Sequence, residues 1–466
     1  MDTTKVRRFR EQVKHFRTRF AQGCGNALSN LLGQAELERW VERHSKGSRN
    51  RIYPPLVTLG LFVDQVMSAD QSCQDAVARG VSARVSQGET PCGLNNGPYC
   101  KARKRLSHVL LKKLCNTVAQ RMLKAQQQSW RWRGREVKLI DGATMSMPDT
   151  VANQKVYPQV LQQKAGVGFP IVRMVGIISL GCGAILEWAV GPCAGKKSGE
   201  TSMLWNMGAG LSAGDIVLAD RYYTGYFMLA RLLSQGVDVV TRQHQLRHTR
   251  FGRGERLGKC DHVVLWPRPP RPKWMDKATY AAMPETLRMR ECRVGGWILV
   301  SSLCDAAAVS KKDLLELYGW RWHIELDFRA IKAVMQMDVL RCKTPEMIEK
   351  EIAAHLLAYN LVRSVMAQAA ALTTLSPRQL SFKGALQQLR AFERSLRHGK
   401  HAHIDHAHHC LLTGIACLKL PHRPGRVEPR ALKRRGKNLP YLTQPRAKER
   451  SRLLVLRQRH LRAISA

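Results

Sequence analysis

Three acidic residues occupy positions from which their carboxylates could bind divalent cations. Asp141 follows the apolar run VKLI within a strand-like segment at 136–147, and Asp220 follows the apolar run IVLA within one at 215–223. We expect an acid directly after such a buried strand run to project at the edge of a sheet. Glu325 lies further along the chain in a helical pattern. Carboxylate oxygens are the ligands of hard cations such as Mg²⁺, and two such ions can assist phosphoryl transfer. Taken singly, each aspartate is also compatible with a cap or turn role.

The helix that carries Glu325 is predicted from the segment LYGWRWHIELDFRAIKAVMQM, residues 317–337. At 100° per residue its apolar side chains fall within about 80° of one another, a stripe that can pack on a core: Leu317, Trp320, Ile324, Phe328, Ile331 and Met335. Four polar side chains fall within roughly 60° on the adjoining face: Tyr318, Arg321, Glu325 and Lys332. Such a face suits either a surface salt-bridge network or a site for metal and phosphate. Asp327, about 200° away from Glu325, is expected to be a surface acid.

The charge of the chain indicates a polyanionic partner. Its 466 residues include 76 Lys and Arg against 35 Asp and Glu, a formal net charge of +41. A surplus of that size favours nucleic acid first and an anionic membrane second. The apolar window 174–191 contains four glycines and Glu187, so it predicts two strands joined at glycines rather than a membrane span. We therefore expect no membrane partner.

Cysteine usage and the N-terminal residues favour a cytoplasmic protein. The 13 cysteines show no C-x-x-C pair, which is typical of reduced thiols. The first residues, MDTTKVRRFREQVKHFRTRF, have no apolar run of the kind found in a signal peptide.

An α/β domain is predicted between two helical regions. Residues 1–135 are rich in helix formers and cations and are interpreted as a DNA-binding domain, with a generic helical domain as the alternative. Residues 136–345 show three successive strands and then alternating helices and strands, which indicates a mixed sheet flanked by helices. A basic segment at about 244–295, with Pro and Gly, interrupts this pattern as a mostly β insertion.

The C-terminal part is predicted to be helical over residues 346–417 and to end in a basic tail, residues 418–466. Within the tail, residues 422–440 are interpreted as an extended arm for a phosphate backbone, with a disordered tail as the alternative. The run HGKHAHIDHAHHC, residues 398–410, lacks the spacing of a zinc site and predicts a solvated basic loop.

Several of these segments resemble the DDE transposases of the insertion sequence 4 family. They are LIDGATMSMPD around Asp141, VLADRYY around Asp220, and the Y-x2-R-x3-E-x6-K pattern around Glu325. DTVANQKVYPQ, GVGFPIVR and RPGRVEPRALKRRGKNLP are also similar to family segments. The resemblance covers about residues 95–445.

The resemblance implies an RNase H-like catalytic domain and a role for each matching residue. Asp141, Asp220 and Glu325 would bind two Mg²⁺ ions, for which Mn²⁺ can substitute. Three residues would hold the phosphates of the transposon end: Tyr318, Arg321 and Lys332. Trp297 would stack on a flipped base, with a core tryptophan as the alternative, and Arg221 would contact DNA or brace the site.

The same resemblance implies a cut-and-paste enzyme that acts on double-stranded DNA. It would bind the terminal inverted repeats of its element, cleave the strands and join them to target DNA. A homodimer would bridge the two ends, and the protein would be cytoplasmic and associated with the nucleoid. Two alternatives remain open: a catalytically inactive DNA-binding protein derived from a transposase, and an RNase H-like nuclease without strand transfer.

Overall fold

The computed structural model describes residues 34–44, 52–86, 88, 90–195, 198–398, 401–421 and 442–464. The strands of this part are β1 Val137–Ser146, β2 Ile171–Ser179, β3 Ile185–Pro192, β4 Ile216–Ala219, β5 Asp238–Arg242, β6 Glu255–Gly258, β7 Asp261–Pro267, β8 Thr286–Val294 and β9 Trp297–Ser301. They form one sheet in the order β3-β2-β1-β4-β5-β9-β8-β7-β6. The fold is therefore a large mixed sheet, as the strand pattern predicts.

Helices precede the strands along the chain, lie between them and follow them. Before the sheet lie α1 Gln34–Arg43, α2 Pro55–Met67, α3 Cys73–Ser86, α4 Gly97–Arg105 and α5 His108–Lys124. Between strands lie α6 Val151–Val156, α7 Glu200–Trp205, α8 Tyr226–Ser234 and α9 Lys277–Ala281. After the sheet lie α10 Lys311–Gly319, α11 His323–Arg329, α12 Pro345–Ala371, α13 Phe382–His398, α14 His401–Cys417 and α15 Arg446–Ile464. In the described part of the chain, no helix is long and apolar enough to cross a membrane.

The register of the central strands determines the positions of Asp141 and Asp220. β1 pairs antiparallel with β2 and parallel with β4, and β4 pairs parallel with β5. Every residue of β4 is buried, as expected for a parallel strand covered on both faces. As expected, Asp141 directly follows the buried run 137–140, and it lies within β1. β1 continues to Ser146 because β2 keeps pairing with it, whereas β4 ends at Ala219.

The inserted segment extends the sheet at its far edge. β9 pairs antiparallel with β5 on one side and with β8 on the other, and β7 and β6 follow outward. The insertion is mostly β, with the short helix α9 between β7 and β8. Because β9 belongs to the same sheet, the chain returns directly from the insertion to the helices that carry Glu325.

The C-terminal helices differ in part from the sequence interpretation. α12 is mostly buried and packs against α2 and α5, so helices from before and after the sheet share one core. The histidine run was expected to be a solvated loop. The loop is wrong, because residues from His401 onward form α14, although most side chains at 403–410 are exposed or half-buried. The predicted extended arm, residues 422–440, lies outside the described residues.

The predicted helix over residues 317–337 is broken into shorter pieces. α10 starts with a capping box between Ser310 and Asp313 and ends at Gly319. A 3₁₀ turn, α11 and a π-helical turn at Ala330–Val334 follow. Most of the predicted apolar stripe is nevertheless buried: Leu317, Ile324, Phe328, Ile331 and Met335.

Asp327 was expected to be a surface acid, and this is also wrong. Its side chain is 0% exposed and forms ion pairs with Arg363 of α12 and Arg378. Arg378 also donates to the carbonyl oxygens of Leu180 and Ser179, at the end of β2. The two arginines come from distant parts of the chain, so helical periodicity alone could not show that they meet this acid. The cluster anchors α11 to α12 and to the sheet.

The Asp327 cluster leads to a prediction about stability. Asp327→Ala would leave Arg363 and Arg378 buried without their shared carboxylate, so the free energy of unfolding should fall by about 3–5 kcal/mol. Urea denaturation of the full chain measures this loss. Glu316→Ala removes an exposed acid from α10 and should change the same free energy by less than about 0.5 kcal/mol. Equal losses in the two variants would contradict the anchoring role.

Candidate active site

The β1–β4 pairing brings Asp141 and Asp220 together. Leu139 lies opposite Leu218 and Ile140 opposite Ala219 in this parallel pair. The residue that follows on each chain segment is an aspartate, so the two aspartates lie side by side. Asp141 accepts a hydrogen bond from the Gly142 N–H at 2.8 Å. Asp220 accepts one from the N–H that follows it and starts the 3₁₀ turn Arg221–Tyr223. Asp220 is thus a turn residue as well as an acid beside Asp141.

Glu325 reaches the same place because α11 packs directly on the sheet. A Cβ atom at Gly176, the β2 partner of Asp141, would lie 3.6 Å from the ring of Phe328. This is an ordinary van der Waals distance, so Phe328 of α11 packs over the sheet at this position. Arg321, one turn before Glu325, completes the connection. Its guanidinium lies 3.4 Å from Asp141 Oδ2 and 3.0 Å from Glu325 Oε1.

The electrostatics of Asp141 reflect this crowding. The pKa of Asp141 is raised to about 6, chiefly by burial and to a smaller extent by the nearby carboxylates of Glu200 and Asp220. The Gly142 N–H and Arg321 act in the opposite direction. The carboxylates of Asp141, Asp220 and Glu200 thus lie near one another in a partly buried region. Arg321 is a cation in direct contact with Asp141 and Glu325.

Aromatic groups lie beside this cluster. Tyr318 is buried, and burial raises its pKa, which keeps the phenol protonated. Trp297, the first residue of β9, lies edge-to-face with Tyr318 at 5.7 Å between ring centroids. Arg242 stands over the Trp297 ring at 5.4 Å. Since Trp297 is 39% exposed, it is not a core tryptophan, and part of its ring can meet another molecule.

The two remaining cations stand apart from these contacts. Lys332 is half-buried in the π-helical turn, two turns after Glu325, and Arg221 is exposed. In the described part of the chain, the structure shows no side-chain hydrogen bond or ion pair for either residue. The structure therefore sets Asp141 beside Asp220, connects Glu325 to Asp141 through Arg321, and packs Trp297 against Tyr318.

One acid at this site was missed by the sequence interpretation. Glu200, in the first turn of α7, accepts a hydrogen bond from the Tyr223 hydroxyl at 3.0 Å. Its carboxylate lies directly over Gly142, the residue after Asp141. In the short segment SGETSMLW, the sequence shows only an acid at the start of a helix. Acids are common at that position because they interact favourably with the helix dipole, so the residue type does not indicate a site. The packing of α7 against β2 and β3 brings this acid to the site, and that packing has no local sequence signal.

Comparison with known proteins places the chain in a family. The family model for the transposase DDE domain matches residues 132–361. The transposase InsG of insertion sequence element IS4 from Escherichia coli (strain K12) is 28% identical over 346 residues, which cover 72% of this chain and 76% of that protein. The chain belongs to the DDE transposases. The region that matches this family contains all three acids and the whole Y-R-E-K pattern of the transposase.

Other relatives of this transposase cover less of it or are more distant. The transposase of insertion sequence element IS421 from Escherichia coli is 32% identical over 71 residues, which are 15% of this chain and 19% of that protein. Among solved structures, the chain is similar to the piggyBac transposase synaptic complex with hairpin DNA. The two share 9% identity with a TM-score of 0.44, over 88% of this chain and 86% of that one.

DDE transposases use divalent metal ions, and the donor atoms here fit such ions. Asp141 and Asp220 provide carboxylate oxygens from neighbouring strands, which is the chemistry that hard cations require. Within the described residues, no three or more acidic, histidine or cysteine side chains are close enough together to hold a metal ion. The third carboxylate, Glu325, is held by Arg321. The oxygen donors of the aspartate pair thus fit a divalent ion.

Proposed function

We propose that this transposase binds the terminal inverted repeats of a bacterial insertion sequence and moves the element by a cut-and-paste mechanism. The observation that carries the proposal is the position of Asp141 beside Asp220, with Glu325 connected to Asp141 through Arg321. The net charge of +41 suits a DNA substrate. The substrate would be double-stranded DNA at the element ends and at the target site.

The catalytic domain would be RNase H-like and would span residues 136–345. The sheet supports this assignment. β1, β4 and β5 are parallel neighbours, β2 pairs antiparallel with β1, and β3 pairs antiparallel with β2. The insertion at about 244–295 would be a DNA-contacting extension of that domain. Residues 1–135 would form the DNA-binding domain, residues 346–417 a helical support, and residues 418–466 a basic tail.

Asp141, Asp220 and Glu325 would hold two divalent ions, with Mg²⁺ as the ordinary ion and Mn²⁺ as a substitute. Such ions, when bound, activate the attacking oxygen and stabilise the leaving one. The site would orient a water molecule against the phosphodiester at the element end. The bond from phosphorus to the 3′ oxygen breaks, so a 3′-hydroxyl and a 5′-phosphate form. The 3′-hydroxyl then attacks a target phosphodiester, and one P–O bond replaces another.

Arg321 would exchange partners during this process. Without DNA its guanidinium neutralises Asp141 and Glu325. A guanidinium also binds phosphate in bidentate geometry, so the terminal phosphate of the element would draw it away from the carboxylates. Tyr318 would donate to a phosphate oxygen, and Lys332 and Arg221 would add positive charge. Trp297 would stack on a base flipped out of the duplex end.

The assembly that acts on DNA would be a homodimer that bridges two element ends, and it would act in the cytoplasm on the nucleoid. The two alternatives make different products. A silent DNA-binding protein derived from a transposase would bind the ends without cutting them. An RNase H-like nuclease would cut DNA and never join the ends to a target. The three carboxylates together with the Y-R-E-K set favour the transposase.

The function is tested by supplying DNA that carries the inverted repeats flanking the coding sequence, with Mg²⁺ or with EDTA. We expect the full chain to release the element and to join its ends to target DNA only with Mg²⁺. Asp141→Asn, Asp220→Asn and Glu325→Gln should each lower both activities at least about a thousandfold, because each removes a ligand needed in the transition state. Gel electrophoresis of labelled products measures cleavage and joining separately.

End binding provides the control for these three variants. Each should bind the labelled ends within about threefold of the wild-type affinity, since phosphate contacts supply most of the affinity for DNA. Asp149→Asn, which changes an acid outside the cluster, should keep both activities. Cleavage without joining in the wild type would favour the nuclease, and binding without cleavage would favour the silent protein.

A further prediction concerns the effect of Arg321 on metal binding in the absence of DNA. Arg321→Gln removes the internal cation that competes for Asp141 and Glu325, so Mn²⁺ should bind more tightly, by about fivefold or more. Titration of the full chain followed by electron paramagnetic resonance of free Mn²⁺ measures the affinity. Arg242→Gln removes a cation that stands over Trp297 instead, and it should leave the affinity within about twofold. Unchanged Mn²⁺ affinity in Arg321→Gln would refute the exchange of partners.

A further inference from the structure

Glu200 is in contact with three elements that surround the candidate active site, although it belongs neither to the three acids nor to the Y-R-E-K set. Its carboxylate lies over Gly142 of β1, accepts from Tyr223 after β4, and faces Arg173 of β2. The side chain is partly buried, so these contacts are made at the edge of the site. Such a position connects the two strands that carry Asp141 and Asp220.

The contact with β1 requires glycine at position 142. A Cβ atom there would lie 2.4 Å from Oε1 and 2.8 Å from Oε2 of Glu200, distances that real side chains do not adopt. The N–H of the same glycine donates to Asp141 Oδ1 at 2.8 Å. The end of the Glu200 side chain therefore occupies the space beside the Asp141–Gly142 peptide that a side chain at position 142 would fill.

The contact with Tyr223 acts on the second aspartate. Tyr223 is 2% exposed and ends the 3₁₀ turn that Asp220 begins. Its hydroxyl donates to Glu200 Oε2 at 3.0 Å. Burial and then Glu200 itself raise the pKa of Tyr223, so the phenol remains a donor. The hydrogen bond therefore holds the turn in place and, with it, the backbone of Asp220.

The ion pair with Arg173 does not account for the position of Glu200. Arg173 Nε lies 3.6 Å from Glu200 Oε1, which is longer than a hydrogen bond. Arg173 also donates to the carbonyl oxygen of Ser198 at 2.9 Å, so its own position has a separate support. The hydrogen bond from the buried Tyr223 is shorter than this ion pair.

We propose that Glu200 is a positioning residue of the reaction centre, which keeps the carboxylates of Asp141 and Asp220 in register so that they can share a divalent cation. The proposal rests on the function proposed above, because it assigns the metal to this aspartate pair. Groups that orient metal ligands commonly change metal affinity by about 10–100-fold when they are removed.

Mn²⁺ titration of the full chain without DNA tests the proposal. Glu200→Ala removes the support of both aspartates and should weaken Mn²⁺ binding about tenfold. Glu200→Gln should restore most of the affinity, because its amide oxygen still accepts from Tyr223. Tyr223→Phe, which keeps the Glu200 charge and loses the hydrogen bond, should also weaken binding. Gly142→Ala should act like Glu200→Ala, since its new methyl group displaces the carboxylate.

A purely structural Glu200 would give another pattern. Glu200→Ala would then lower the melting temperature while the folded protein kept the wild-type Mn²⁺ affinity, and this would overturn the proposal. If Glu200→Gln bound Mn²⁺ as weakly as Glu200→Ala, Glu200 would act through its charge, which would also overturn the positioning role. Glu255→Ala removes an acid that is exposed on β6 and should leave the affinity unchanged.

Asp141→Asn separates a failure of this proposal from a failure of the proposed function. If Asp141→Asn loses Mn²⁺ binding while the Glu200, Tyr223 and Gly142 variants bind normally, only the role of Glu200 is wrong. If Asp141→Asn itself binds Mn²⁺ as the wild type does, the metal site is elsewhere and the proposed function fails with it.

Discussion

The parallel pairing of β1 with β4 is the feature from which the arrangement of the site follows. It sets two carboxylates side by side at the point where β4 ends and β1 continues. Like charges at close range in a poorly hydrated place are costly unless cations neutralise them. Arg321 supplies one cation and thereby draws Glu325 into the same cluster. The proposed exchange of this internal cation for divalent ions follows from the same charge balance.

The helices around Glu325 are held from two sides. On one side Arg321 connects Glu325 to β1, and on the other Asp327 is buried between Arg363 and Arg378. These two contacts fix the rotation of α11 about its axis, which decides where Glu325 points. The strand that follows the insertion contributes as well, because β9 pairs with β5 and places Trp297 against Tyr318. The sheet and the helix thus present one continuous surface of acids, cations and aromatic rings.

Much of this arrangement could be predicted from sequence because it depends on local patterns. The apolar runs before Asp141 and Asp220 predicted strands, and helical spacing placed Arg321 next to Glu325. The positions of Asp327 and Glu200 could not be predicted, since their partners come from segments more than twenty residues away. β1 continues past Asp141 through its pairing with β2, and the strand-like run over residues 136–147 already predicted this length.

Anomalous diffraction from Mn²⁺, in crystals of the full chain bound to DNA that carries its element ends, would test the proposed reaction centre. We expect an anomalous peak about 2.0–2.2 Å from carboxylate oxygens of both Asp141 and Asp220, close to Glu325. Arg321 should then contact a terminal phosphate. A peak remote from the two aspartates, or Arg321 still lying between Asp141 and Glu325 beside bound Mn²⁺, would contradict the proposed centre.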